Sequence, residues 1–109
     1  MKIETFKECF EAACDELDKR RYNVATMLYY KALTMICDYY IEEETNKVVT
    51  NHTQRFGILK GLDKDIFSIV SPMFKTYRNT YAGVSLRDDA VRIKNAVKKV
   101  AGIIGVEIG

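Results

Sequence analysis

The 109-residue sequence contains one proline, six glycines, one histidine and three cysteines. Each shortage excludes something. Cys9, Cys14 and Cys37 form no C-x-x-C pair, and an odd number cannot all pair within one chain. They read as reduced, mostly buried thiols that behave as small apolar side chains. A zinc site takes about four ligands, and His52 is the one imidazole available, so neither a metal nor a cofactor is expected. No glycine-rich loop precedes a helical segment, so a phosphate cradle of that kind is not expected. No G-x-S-x-G or Cys/His arrangement offers a nucleophile. The longest apolar run is only a few residues, too short for a membrane span. Met1-Lys2-Ile3-Glu4 has no apolar leader stretch, so the expected location is cytoplasmic. No Ser/Gly linker, repeat or low-complexity tract divides the chain, and residues 1–109 read as one domain.

Hydrophobic residues make up 48% and charged residues 29%, an ordinary globular composition. A chain of this size buries roughly 60–70% of its unfolded surface, enough for one modest core. The formal net charge is +2 but unevenly spread. Residues 1–45 carry six basic and ten acidic side chains, and residues 46–109 carry eleven basic and five acidic. Such halves can dock on each other or on a second copy, and the basic half can meet an acidic partner such as RNA.

The periodicity is helical almost throughout. Ile3, Phe6, Phe10, Ala13 and Leu17 form one stripe over a segment from Ile3 to Asp18, which Lys19-Arg20-Arg21 closes with cations. Tyr22, Ala25, Leu28, Tyr29, Ala32, Met35, Ile36 and Tyr39 recur at helical spacing in a second segment that runs to Glu43 or Glu44. Ala25 and Ala32 allow a neighbouring helix to approach closely. Met27, Leu33 and Tyr40 widen the band, which predicts two neighbours: the core and a second subunit. Asn51 and Gln54 predict a capped short helix over His52–Lys60, with Gly61 ending it. Asp63 caps a further segment with the stripe Ile66, Phe67, Val70, Phe74, Tyr77 and Tyr81. Pro72 either kinks that helix or restarts it; the kink, with an end near Gly83, is the favoured form. Ser85 and Asp88 predict a capping box for the last helix, with the stripe Leu86, Ala90, Ile93, Val97 and Val100 and a basic opposite face. The residues after Gly102 fray, extend or join an interface; the pattern leaves these open. The predicted fold is all-α: an antiparallel, up-and-down four-helix bundle with a short extra helix, and a homodimer is expected.

Chemistry concentrates in Tyr77-Arg78-Asn79-Thr80-Tyr81. Tyr77 and Tyr81 lie four apart and share a helix face. Arg78 offers a planar fork for a phosphate, and the tyrosine rings beside it can stack on bases. The plainer alternative is a core tyrosine pair with Arg78 in an ion pair to the first or second helix. Glu42-Glu43-Glu44 and Asp88-Asp89 read as solvated helix ends, because helical neighbours diverge by about 100°.

Tyr22-Asn23-Val24-Ala25, Tyr29-Tyr30-Lys31-Ala32, Asn51-His52 with Gln54-Arg55-Phe56, and Tyr77-Arg78-Asn79-Thr80-Tyr81 together resemble the HEPN superfamily, the higher eukaryotes and prokaryotes nucleotide-binding domains. The resemblance spans roughly residues 5–100. It implies an all-α, commonly dimeric bundle. It further implies either a metal-independent ribonuclease or an inactive binding module, often partnered with a small nucleotidyltransferase in a toxin–antitoxin pair. Arg78 and Asn79 match the first half of the family's active motif, but Gly83, Val84 and Ser85 stand where its His belongs. An Arg can hold a phosphate but cannot exchange the proton that RNA cleavage requires. The leading expectation is therefore a HEPN-like module that binds RNA or a nucleotide, or pairs with a nucleotidyltransferase. In it Arg78 would contact phosphate, Asn79 would position it, and Tyr77 and Tyr81 would stack or wall the cleft. The alternatives are a ribonuclease using His52 or Tyr81 as a substitute, and a purely structural interaction bundle. His52 itself reads as a surface or capping residue.

Overall fold

A computed structural model describes residues 3–83 and 85–108. Val84, one of the positions that stand in place of the motif His, lies outside the described residues, as do Met1 and Lys2 of the leader reading. The described residues form six α-helices and no strand: α1 (Ile3–Asp18), α2 (Tyr22–Thr45), α3 (His52–Leu62), α4 (Lys64–Val70), α5 (Met73–Arg78) and α6 (Arg87–Ile104). A 3₁₀ turn, Asn79–Ala82, follows α5. No helix of the described residues is long and apolar enough to cross a membrane.

The centre is α2, against which α1 and α6 pack most extensively, with α3 and α5 touching it as well. The wide apolar band of α2 is consumed inside the chain: Ala25, Tyr29, Ala32, Leu33, Ile36, Cys37 and Ile41 are fully buried. This accounts for most of the surplus that predicted a second subunit; Val24 and Met27 stay exposed. The small side chains Ala25 and Ala32 sit at this contact as expected. Phe6, Phe10 and Ala13 of α1, Leu59 of α3, Ile66 and Val70 of α4, Met73 of α5, and Ala90, Ile93, Val97 and Val100 of α6 join the same core. Each large apolar side chain withdrawn from water contributes about 1.5–3 kcal/mol. The Tyr29 hydroxyl keeps its bond when buried, donating to Cys14 Sγ at 3.1 Å.

Local chemistry sets the helix ends. Arg20 and Asn46 take left-handed φ values of 61° and 59° and terminate α1 and α2. The Asn51 side chain accepts from Gln54 N at 2.8 Å, and Asp63 Oδ1 accepts from Ile66 N at 2.9 Å, so both predicted caps are present. Three expectations need correction. Gly61 does not end α3, which continues to Leu62; one exposed helical glycine costs only about 1 kcal/mol, and the Asp63 N–H still donates to Leu59 O at 3.0 Å. The long kinked helix is instead two helices, because Pro72 has no N–H to donate and its ring crowds the carbonyl four residues back. Its last turn does end at Gly83, with φ 70°. Finally, Ser85 does not cap α6. Leu86 occupies the N-cap and its N–H donates to Asp89 Oδ2 at 3.0 Å, while Ser85 N donates across the fold to Asn23 Oδ1 at 2.9 Å. The helix runs past Gly102 and closes at Gly105, where Val106 N donates to Ala101 O at 2.9 Å. Val106 and Ile108 then pack on the core edge.

Candidate functional site

Alternate turns of α5 and the 3₁₀ turn project a row of rings toward α2 and α3. Tyr77 stacks nearly parallel on Tyr30 of α2, with ring centroids 4.3 Å apart at 12°. Tyr81 meets Tyr77 edge-on at 5.5 Å, and its hydroxyl donates to the Tyr77 hydroxyl at 3.2 Å. The i, i+4 pairing is thus present, but the two rings differ in setting. Tyr77 is half-buried, whereas Tyr81 is 76% exposed and is no core residue. The hydrogen bond from Tyr81 and partial burial both hold the Tyr77 phenol above its usual range.

Arg78 is exposed. Its guanidinium carbon lies 5.8 Å from the centroid of Phe74, within cation–π range. No carboxylate among the described residues pairs with it, so the structural ion pair to α1 or α2 is not formed. Asn79 is also exposed, at the start of the 3₁₀ turn, where its carbonyl accepts from Gly83 N.

His52 corrects its expected surface or capping role, because Asn51 caps α3 instead. The imidazole is half-buried between Phe74, at 4.2 Å, and Phe56, at 4.4 Å edge-on. Burial and the nearby Arg55 charge lower its pKa, which keeps the ring neutral at pH 7. His52 and Arg78, far apart in sequence, therefore rest on the same Phe74 ring.

Residues that the motif reading gave no role complete the cluster. Arg55 of α3 holds Asp38 of α2 through two bonds, Nε to Oδ1 at 2.6 Å and Nη2 to Oδ2 at 2.9 Å. Their side chains are 13% and 23% exposed. The Tyr30 hydroxyl is buried and has no partner among the described residues. Burial drives its pKa up to about 12, with Arg55 opposing. Met27, Tyr30, Lys31, Thr34, Arg55 and Tyr77 line a recess of 220 Å³. A larger groove of 590 Å³ lies between α1 and α6, over Phe10, Cys14 and Ile108. Its rim mixes Lys7, Lys94 and Lys98 with Glu11 and Asp15. The mixed charge and the burial of Phe10, only 7% exposed, make it the poorer match for an aromatic anion, despite its size.

The signal that joins Tyr30, Arg55 and His52 to the motif is tertiary. Only the order Tyr30-Lys31, His52…Arg55, Tyr77-Arg78 is visible in the chain. Chemically, the cluster offers exposed and half-buried rings beside cations, suited to stacking a base and holding a phosphate. Among the described residues no group of His, Cys, Asp and Glu side chains is arranged to hold a metal ion. No family model matches the chain, and neither curated proteins nor solved structures give a significant match.

Proposed function

We propose that the chain is a HEPN-like, four-helix RNA-binding module whose ligand meets the α5 end of the fold. The observation that carries this reading is the exposed pair Arg78 and Tyr81, backed by a fixed Tyr77–Tyr30 stack, with no carboxylate among the described residues paired to the guanidinium. Arg78 contacts phosphate, Tyr81 stacks on a base, and Asn79 supplies a polar contact beside them. Tyr77 braces Tyr81 from behind. The α4–α5 pair counts as one interrupted helix, which gives four principal helices with α3 as the extra one. The exposed apolar side chains Val24, Met27 and Leu86 support a second copy joining at this end, so that two Arg78 side chains share one cleft. A nucleotidyltransferase partner would use the same surface.

Fluorescence anisotropy with a single-stranded RNA tests the reading. Tyr81→Ala is expected to weaken binding by about tenfold, within the stacking range. Arg78→Ala is expected to weaken it uniformly across sequences and to reduce the salt slope by about 1. Equal affinity of wild type and both variants would refute it.

A second reading, a metal-independent ribonuclease, is favoured by one observation: His52 and Arg78 contact the same Phe74 ring. His52 would act as base and Arg78 would stabilise the phosphorane charge. Cleavage of RNA in EDTA, lost in both His52→Gln and Arg78→Ala, would support it. Intact RNA at high protein concentration would dismiss it.

A further inference from the structure

The recess beside the Tyr30–Tyr77 stack carries a feature that the stacking platform does not use. Tyr30 is 94% buried, its relative exposure being 6%, yet its hydroxyl has no hydrogen-bond partner among the described residues. A buried donor without a partner costs about 1–3 kcal/mol, so such groups are few and each calls for an explanation. The recess that Tyr30 lines is also lined by Arg55 and Lys31. Asp38 occupies Nε and Nη2 of Arg55 and leaves Nη1 with no partner among the described residues. Lys31 is exposed at the edge. One carboxylate against two cations leaves the recess net positive, and Asp38 fixes the guanidinium plane so that little order is lost on binding.

Its 220 Å³ falls below the roughly 300–1,000 Å³ of pockets that enclose whole small molecules. The recess therefore fits a group, not a nucleotide. A phosphate monoester has three free oxygens, against two in an internal diester. Those three oxygens suit the donor types of its lining: the Tyr30 hydroxyl, the Arg55 edge that Asp38 leaves over and the Lys31 ammonium. Tyr77 forms both a wall of this recess and the support of exposed Tyr81, so a phosphate held here continues into a base on Tyr81.

We propose that this recess is a terminal-phosphate subsite, in which Tyr30, Arg55 and Lys31 hold the monoester at an RNA end whose first base stacks on Tyr81. This rests on the RNA reading above and narrows its ligand to phosphorylated ends. The subsite uses α2 and α3, and none of its three donors belongs to the Tyr77–Tyr81 motif.

Three single-stranded RNAs of one sequence test it by anisotropy: one with a 5′-phosphate, one with a 3′-phosphate and one with neither. The full chain is used throughout. One phosphorylated end is expected to bind about tenfold tighter than the unphosphorylated RNA, the discrimination of a single charge-assisted contact set. Tyr30→Phe and Lys31→Gln are expected to bring that advantage below about twofold while unphosphorylated binding is retained. Circular dichroism checks that both variants fold. Equal binding of all three RNAs, or an advantage that survives in Tyr30→Phe, would overturn the subsite and leave the RNA reading standing. If no RNA binds, the RNA reading fails alone, and inorganic phosphate decides the subsite. Saturable shifts of the Tyr30 ring signals that vanish in Lys31→Gln would support it, and no saturable shift would overturn it.

Discussion

Replacing Tyr30 by Phe should make the unliganded protein more stable. The substitution removes one oxygen and leaves the ring, which stacks on Tyr77 at 4.3 Å and tilts against Phe74 at 6.2 Å. The lost hydroxyl has no partner among the described residues, so no bond is broken. Leaving a buried hydroxyl unsatisfied costs about 1–3 kcal/mol. The lower end is the conservative value for one neutral hydroxyl. A gain of about 1 kcal/mol follows, or roughly 4 °C in Tm for a domain of this size. Urea unfolding followed by circular dichroism measures it, with an unchanged m-value required for the comparison. Phosphate should narrow the difference by stabilising the wild type alone. A loss of stability in Tyr30→Phe would show that the hydroxyl is bonded within the fold, and the case for a ligand-directed donor would collapse.

Asp38→Asn should destabilise by about 2 kcal/mol, between the values for exposed and buried pairs, because Arg55, 13% exposed, loses its bidentate partner; thermal unfolding reads this as a Tm drop of roughly 8 °C. His52 has a pKa below its ordinary 6.5, so the folded state binds fewer protons than the unfolded one. Its contribution is complete above pH 6.5 and is lost as the pH falls through the lower folded value, a dependence that His52→Gln should flatten in unfolding measured between about pH 7 and 5. Cys37 is fully buried and burial pushes its thiol up to about 12. It should react with a thiol reagent only at the rate of global unfolding, whereas half-buried Cys14 should react sooner, as peptide mapping after timed labelling would show.

Periodic apolar stripes made α1, α2 and α6 legible, because burial against a single core imposes a repeat that the chain displays directly. The Asn51 and Asp63 caps were legible for a similar reason: the side chain serves a backbone group three residues away. Signals that compete with tertiary contacts point the wrong way. Ser85 carries the composition of a cap, yet its N–H is tied to Asn23, distant in sequence, its hydroxyl is buried without a partner among the described residues, and the helix starts one residue later. Gly61 carries the composition of a stop, yet the Asp63 turn keeps α3 going through it. Around the candidate site, Tyr77 and Tyr81 were legible as an i, i+4 pair. Their unequal burial was not, since it depends on Tyr30 covering only one of them. The meeting of His52 and Arg78 on Phe74 required α3 and α5 to fold onto one another, which no local pattern records.

Chemical-shift mapping of the isotopically labelled chain during titration with single-stranded RNA bears most directly on where the ligand sits. The account predicts saturable shifts centred on Arg78, Tyr81 and Tyr77, fading as salt is raised. Shifts centred on Lys7, Lys94 and Lys98 of the α1–α6 groove, or none that saturate, would contradict it.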